Sequence, residues 1–325
     1  MLTDNKKFLL FIAIGILLWF FLPFVGSQNL AFSTVFSEPD SLDARIFFNI
    51  RLPRVVFAFF VGAGLSLIGA VFQALLRNDL ATPYTLGVSS GGAFGAVLAL
   101  KLNLAFSFLV FSAVALFSIT GSLLSITLIY FIAKGRKGIS IYTLILAGVA
   151  ISFFFSSFNL FLHYLADFTE TYRMIRWLMG SLDISNWQQT LPIIILVLLI
   201  FLFFFKNYPA FNIMLAGEEV AKSKGVEVER LQKISFFAGS GAVGFIVALA
   251  GPIGFVGLVV PHIIRLVFGA NHKFVFSGSL IGGGVFLAAC DTLARTIIAP
   301  AELPVGIITA LLGGPFFVYL LIKRK

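Results

Sequence analysis

Asn207–Lys233, NYPAFNIMLAGEEVAKSKGVEVERLQK, is the longest polar interruption in the chain, and apolar stretches long enough to cross a bilayer lie on both sides of it. Within it, Ala216 to Lys224 has the layout of a short helix. Glu218 and Glu219 stand in the first turn and Lys222 and Lys224 in the last, so both ends match the helix dipole. Gly225 supplies the left-handed residue that commonly ends a helix. Val226 to Gln232 reads as a second short turn before the apolar pattern resumes. Such a segment is either a solvated loop or a hook offered to a soluble partner, and its residues alone do not separate the two.

Outside this stretch, composition sets the class. Of 325 residues, 59% are hydrophobic and only 11% charged; a soluble domain carries about 25% charged residues, so an integral membrane protein is expected. Apolar runs of roughly 20 residues, rather than alternating segments of about 10, select an all-α polytopic bundle over a β-barrel. The net charge of +9 comes from basic residues at the ends of apolar segments, which reports topology and not nucleic acid. The lone Cys290 excludes an intramolecular disulfide and a cysteine metal cluster. The N-terminal apolar run is longer than a signal-peptide core and lacks a convincing cleavage site, so it reads as a retained first helix.

Ten spans fit the pattern: 8–25, 54–76, 87–100, 106–133, 142–165, 190–205, 234–250, 254–267, 274–295 and 305–322. The third and eighth are short and glycine-rich, and are expected to be tilted, broken or only partly crossing. With both termini in the cytoplasm, 16 of the 23 Lys and Arg residues fall on the inner face and 7 on the outer, in keeping with the positive-inside rule. The 207–233 segment is then cytoplasmic. Gly87, Gly91 and Gly95 share one helix face, and Gly251, Gly254 and Gly257 recur at close spacing, a signature of tight helix packing.

Candidate chemistry is sparse. His163, His262 and His272 lack metal-ligand spacing, and no GxxxxGK[ST] motif is present, so neither a metal centre nor phosphate-loop ATP hydrolysis is expected. No Ser/His/Asp or HExxH pattern supports an intramembrane enzyme. The acid within a span is Asp291, one turn from Arg295, which reads as an ion pair at a helix end. An ion-coupled carrier usually needs an acid near the midplane, so the energy for uphill transport is expected from elsewhere. Arg51, Arg54 and Arg295 lie at the outer ends of helices, where they anchor to headgroups, attract an anion or dock an acidic partner.

Taken together, several blocks resemble the iron-siderophore/haem/cobalamin permeases of ABC importers. They are Arg51-Leu-Pro-Arg54, Gln73-Ala-Leu-Leu-Arg77-Asn78, Leu86-Gly87-Val88 and Trp177-Leu-Met-Gly180-Ser181, then Gly251 to Arg265 (GPIGFVGLVVPHIIR), Asp291, Ala294-Arg295, Glu302-Leu-Pro304-Val-Gly306 and Gly313-Gly-Pro315. They run in family order over nearly the whole chain. One departure is Asp79 after Arg77-Asn78, where the family usually has Pro; Asp79 is expected to cap the next turn.

The resemblance implies a single permease domain over 1–325, with a cobalamin-permease-like bundle of about ten helices. It is not itself an enzyme and needs no cofactor. Its implied partners are two ATP-binding cassette ATPase subunits, an extracytoplasmic solute-binding protein and a second permease copy, in a bacterial or archaeal cytoplasmic membrane. The substrate class is a metal chelate, with ferric siderophore first and haem or cobalamin next. Ala216, Gly217, Glu218, Glu219, Gly225 and Val226 match the ATPase-coupling loop. Arg51, Arg54 and Arg295 match binding-protein docking positions. Gln73, Arg77, Asn78, Gly87, Gly91, Gly254, Pro261, His262 and Arg265 match packing or gating positions. The rival readings are an ion-coupled secondary transporter and a structural membrane subunit without a pathway.

Overall fold

The most buried helix, α4 (Leu52–Leu76), is the axis about which the other helices assemble. The computed structural model describes residues 4–26, 28, 30–84, 86–108, 111–135, 138–139, 141–183 and 187–323. Arg136, Lys137, Arg324 and Lys325, four of the basic residues used for the topology reading, lie outside the described residues, as do residues 1–3 of the N-terminal segment.

In chain order the helices are α1 (Asp4–Phe21), α2 (Phe32–Ser37), α3 (Leu42–Ile46), α4, α5 (Val88–Lys101), α6 (Ala113–Ala133) and α7 (Ile141–Tyr164). They continue with α8 (Phe168–Leu178), α9 (Trp187–Met214), α10 (Glu218–Ser223), α11 (Val228–Ala250), α12 (Val256–Phe268), α13 (His272–Thr296) and α14 (Val305–Lys323). Two antiparallel ribbons of two-residue strands, β1–β2 at 107–112 and β3–β4 at 134–139, flank α6, with Ser107 opposite Ser112 and Lys134 opposite Ile139.

Among the described residues, seven segments are long and apolar enough to cross a membrane, and three shorter apolar helices, α5, α12 and α14, complete the bundle. Each of the ten expected spans therefore overlaps a helix, the fourth only from Ala113 because the β1–β2 ribbon precedes α6, and the third and eighth are short as expected. A π-helical turn at Phe47–Arg51 joins α3 to α4 in one continuous run, Leu42–Leu76.

Small residues set the distances between helices. α4 crosses α13 where Gly62 lies against the Gly283 carbonyl, and crosses α12 where Gly69 lies against Gly257. Gly91 and Gly95 meet the backbone of α6 at Gly121 and Phe117. Without a hydrophobic force between helices in lipid, such close approach supplies the dispersion contact that holds the bundle. Gly254, by contrast, has open space around the position a Cβ would take, so it is not a packing glycine within this chain.

Two expectations around the polar interruption are corrected. α9 runs on to Met214, through Pro209, because Phe211 and Met214 are buried, and Phe211 lies against His272 and Phe276. The second short turn is instead the start of α11, which continues unbroken from Val228 to Ala250. The short helix between them, α10, forms as expected, and Gly225 ends it at φ +81°.

Candidate functional site

Polar side chains gather at the two ends of α4. At its first end, Pro53 lies in the first turn after the π-helical stretch, and Arg54 follows on the buried face. Arg54 Nε lies 3.2 and 3.1 Å from the two carboxylate oxygens of Asp291, with Nη2 3.0 Å from Oδ1. Its Nη1 donates to Glu302 Oε2 at 2.8 Å, and Nη2 faces Asp183 Oδ1 at 3.3 Å. One guanidinium thus meets three carboxylates from three separate segments. Arg295 Nε adds a bond of 3.1 Å to Asp291 Oδ2, and its Nη2 donates to Thr292 Oγ1 at 3.2 Å. Arg176 Nη2 reaches the other oxygen of Asp183 at 3.2 Å.

The Asp291–Arg295 pair read from the sequence is present, as one link of this larger network. Arg54, Arg176 and Arg295 face Asp183, Asp291 and Glu302, three charges of each sign. Burial divides the set: Asp291 is 1% exposed, while the side chains of Asp183 and Glu302 are 32% and 42% exposed. The inner pairs are fixed and the outer ones are wet.

Arg51 belongs elsewhere. Its guanidinium donates to the carbonyls of Pro23, Phe24 and Gln28, holding the chain that follows α1. Arg51, Arg54 and Arg295 are 6%, 9% and 6% exposed, so the three arginines grouped by sequence are close in space but do not form an open cationic surface.

At the second end of α4, Arg77 closes the helix in the left-handed region at φ +48°. Arg265 from α12 donates to Gln73 Oε1, and Gln73 Nε2 donates to Gly257 O at 3.2 Å, so Gln73 ties α4 to α12. Asn78 caps the turn beyond, its Oδ1 accepting from Leu80 N at 3.0 Å. Asp79 lies 3.6 Å from Arg265, a use of its charge that Pro could not supply.

α10 hangs from this end. Glu218 Oε1 lies 3.6 Å from Arg77 Nη2 and accepts from Gln232 Nε2 at 3.2 Å, while Ala221 is buried. Gly217, at φ +118°, makes the backbone corner before α10. Lys222 and Glu229 pair across the α10–α11 corner at 3.1 Å. Glu219, Lys222 and Lys224 stay exposed, so the hook presents both charges on a seated frame. Past this end of α4 a mainly apolar cavity of about 350 Å³ is lined by Asp79, Leu258, His262, Phe316, Phe317 and Leu320, among others. Pro261 is buried within α12, and Gly87 begins α5 at φ +76° against Gly148.

Sequence reasoning missed α8 and its fastenings. Asp167 and Glu170 form a capping box at its start, a D-x-x-E signal present in the sequence. Lys101 Nζ lies 2.6 Å from Glu170 Oε2, and this ammonium and hydrogen bond hold the Glu170 carboxyl below its ordinary range. Asp183 and Glu302 were missed because their partner, Arg54, is more than a hundred positions away. Among the described residues no group of three His, Cys, Asp or Glu could hold a metal ion.

A model of the FecCD transport family matches residues 11–323. The hemin transport system permease protein HmuU of Yersinia pestis is 36% identical over 308 residues, covering 93% of this chain and 90% of that protein. The iron(3+)-hydroxamate import system permease protein FhuG of Bacillus subtilis is 34% identical over 301 residues, 89% of this chain and 87% of that one. A solved metal-chelate type ABC transporter in an inward-facing conformation superposes with a TM-score of 0.87 at 31% identity, over 98% of this chain and 99% of the other. With apolar helices of spanning length and a family match over almost all of its residues, the chain is a multi-pass cytoplasmic-membrane protein and belongs to the FecCD transport family.

Proposed function

We propose that this chain is the permease subunit of an ABC importer that moves a metal chelate by alternating access, with ferric siderophore as the first substrate and haem or cobalamin as the next. The observation that carries the reading is the seating of α10. A short charged helix, tied to α4 through Glu218 and Arg77, projects from a bundle of apolar helices. In this reading Ala216 to Val226 couples the bundle to two ATP-binding cassette subunits, and all ten expected spans cross the membrane with both termini in the cytoplasm. The whole chain, 1–325, acts as one permease domain paired with a second copy.

The Arg54 end then faces outward, and an extracytoplasmic solute-binding protein docks over Arg51, Arg54 and Arg295. Since all three guanidinia are already engaged, acidic residues of that partner exchange with Glu302, the most exposed carboxylate on Arg54. Gln73, Arg77, Asn78, Gly87, Gly91, Gly254, Pro261, His262 and Arg265 serve packing or gating. No cofactor is required, and ATP is hydrolysed in the partner.

Co-expression with an ATPase encoded beside this chain tests the reading. The expected result is a copurifying complex whose ATP hydrolysis rises when the loaded binding protein is added. Transport driven by a proton or sodium gradient, with no ATPase bound, points to a secondary carrier. A stable complex with no substrate response points to a structural subunit.

A further inference from the structure

The first spanning segment, Asn5–Phe24, is the least buried of the seven among the described residues. Leu17, Phe20 and Phe21 are all exposed on it, so in a multi-pass protein its open side is a lipid side. Its 20 residues are the length that a hydrocarbon core of about 30 Å requires, and Phe24 marks the level where that core ends. α2 folds back against this level. The Phe24 ring lies 5.2 Å from Phe32 and 6.3 Å from Phe36, which sit one turn apart on one face of α2. From Phe36 the row of rings runs on to Phe48 at 6.2 Å, and the buried Phe47 backs it, 4.7 Å from Phe24 and 5.0 Å from Phe48. There it meets Trp187, the first residue of α9, whose indole N–H donates to Phe48 O at 3.3 Å.

The row thus joins the ends of two spanning helices, α1 and α9. Its outward rings are open: Phe32, Phe36 and Phe48 are 57%, 50% and 41% exposed. A contiguous exposed apolar patch of this kind marks an interaction surface. The polar groups around it are tied within the protein. Arg51 donates to the carbonyls of Pro23, Phe24 and Gln28, Asp43 Oδ2 accepts from Ala31 N at 3.1 Å, and Ser41 Oγ caps α3 by accepting from Ala44 N at 3.2 Å. Backbone near lipid needs such internal partners, because water is scarce there. Glu38, Asp40 and Arg45 are exposed, and none of them lies in the row of rings.

We propose that α2 is a membrane-interface element: Phe32, Phe36 and Phe48 seat at the boundary between phospholipid headgroups and acyl chains, closing an aromatic belt that runs from Phe24 to Trp187. The occupant is lipid because the patch continues, ring by ring, from the lipid side of α1 to the start of a second spanning helix. Neither the rings nor their surroundings depend on the solute or the energy source, so the proposal does not rest on the permease reading. It does bound that reading, since a partner docking at the Arg54 end is bordered by lipid on this flank.

The test uses the full chain in nanodiscs of phosphatidylethanolamine and phosphatidylglycerol, with Cys290→Ala and a nitroxide at Phe32→Cys or Phe36→Cys. Power saturation with oxygen and with a water-soluble nickel chelate separates three surroundings. Lipid gives strong oxygen and weak nickel contact, water gives strong nickel contact, and a protein interface gives little of either. Leu17→Cys on α1 is the lipid reference and Asp40→Cys the water reference. Both α2 labels are expected to follow Leu17→Cys with oxygen. Their nickel contact should fall at least about threefold below Asp40→Cys, the lower range for a polar solute entering a partly hydrated apolar layer. Nickel contact equal to that at Asp40→Cys makes α2 a solvated loop and overturns the proposal. Weak contact with both reagents assigns the face to a protein partner or a second copy, and overturns it too. The unmodified chain gives an independent reading: a phospholipid with a photoreactive diazirine at the top of its acyl chain is expected to cross-link within Phe32–Ser37 as well as at Phe20 or Phe21. Cross-links on α1 with none on α2 overturn the proposal. Since no measurement involves ATP or solute, a negative result leaves the permease reading standing.

Discussion

Arg54 and Asp291 lie 237 positions apart in the chain and meet through three nitrogen–oxygen contacts of 3.0–3.2 Å. This pair joins α4 to α13, and because Arg295 shares the same carboxylate, it also fixes the end of α13. Asp291→Ala leaves two guanidinia buried without their main partner, and removing one member of a buried pair costs about 3–5 kcal/mol. Glu302→Gln removes a wet pair, with an expected loss of about 1 kcal/mol or less. Thermal unfolding in detergent checks the contrast; equal losses in the two variants contradict it.

Arg51 is expected to act on its own chain. Charge-assisted bonds to the carbonyls of Pro23, Phe24 and Gln28 are each worth about 1.5–3 kcal/mol, so Arg51→Gln exposes the turn that follows α1. Hydrogen exchange at Leu22–Val25 should accelerate at least tenfold, by that same figure. Unchanged exchange together with a large loss of binding-protein affinity assigns Arg51 to docking alone.

Glu218→Lys places a cation against Arg77 and removes the Gln232 bond. The seat of α10 is expected to loosen, with ATPase association weakened about tenfold or hydrolysis uncoupled from uptake, as for loss of an interface charge pair. Pull-down and coupled uptake measure it. Normal stoichiometry and transport in both Glu218→Lys and Glu219→Lys remove the coupling role.

The Lys101–Glu170 fastening predicts a pH response. Glu170 has a depressed carboxyl, so its contribution is present above the unfolded-state pKa near the ordinary 4.5 and is lost as pH falls through the lower folded value. A spin label at Phe168→Cys should keep one line shape from pH 7 down through that ordinary value and mobilise only below it. Mobilisation at a higher pH contradicts the assignment.

Glycines separate into two kinds. Gly95→Leu drives a side chain into the α6 backbone and should prevent assembly, whereas Gly254→Ala meets no neighbouring atom and should leave folding intact. A bulky residue at Gly254 is expected to block uptake without loss of the assembled complex. Normal uptake in that variant ends its gating role; size-exclusion profiles separate the two effects.

Much of this architecture was legible because bilayer chemistry writes itself in long apolar runs: all ten expected spans correspond to helices. The boundaries were not, where tertiary burial overrode polarity. Asn207 lies within α9 because Phe211 and Met214 are buried farther along the same helix. The hook at α10 was readable from its charge order and Gly225. The Arg54 network was only half readable, since Asp291–Arg295 is local and the contacts to Asp183 and Glu302 are set by topology. The pairing of Asp79 with Arg265 was unreadable for the same reason, since the fold brings the two together.

ATP-driven permeation is tested by reconstituted uptake. The permease with its partner ATPase is placed in proteoliposomes, and accumulation of radiolabelled ferric siderophore delivered by the binding protein is followed with and without ATP. Uptake is expected to require ATP, to persist when proton and sodium gradients are collapsed, and to disappear in Glu218→Lys. Uptake that survives without ATP and stops with the gradients contradicts it.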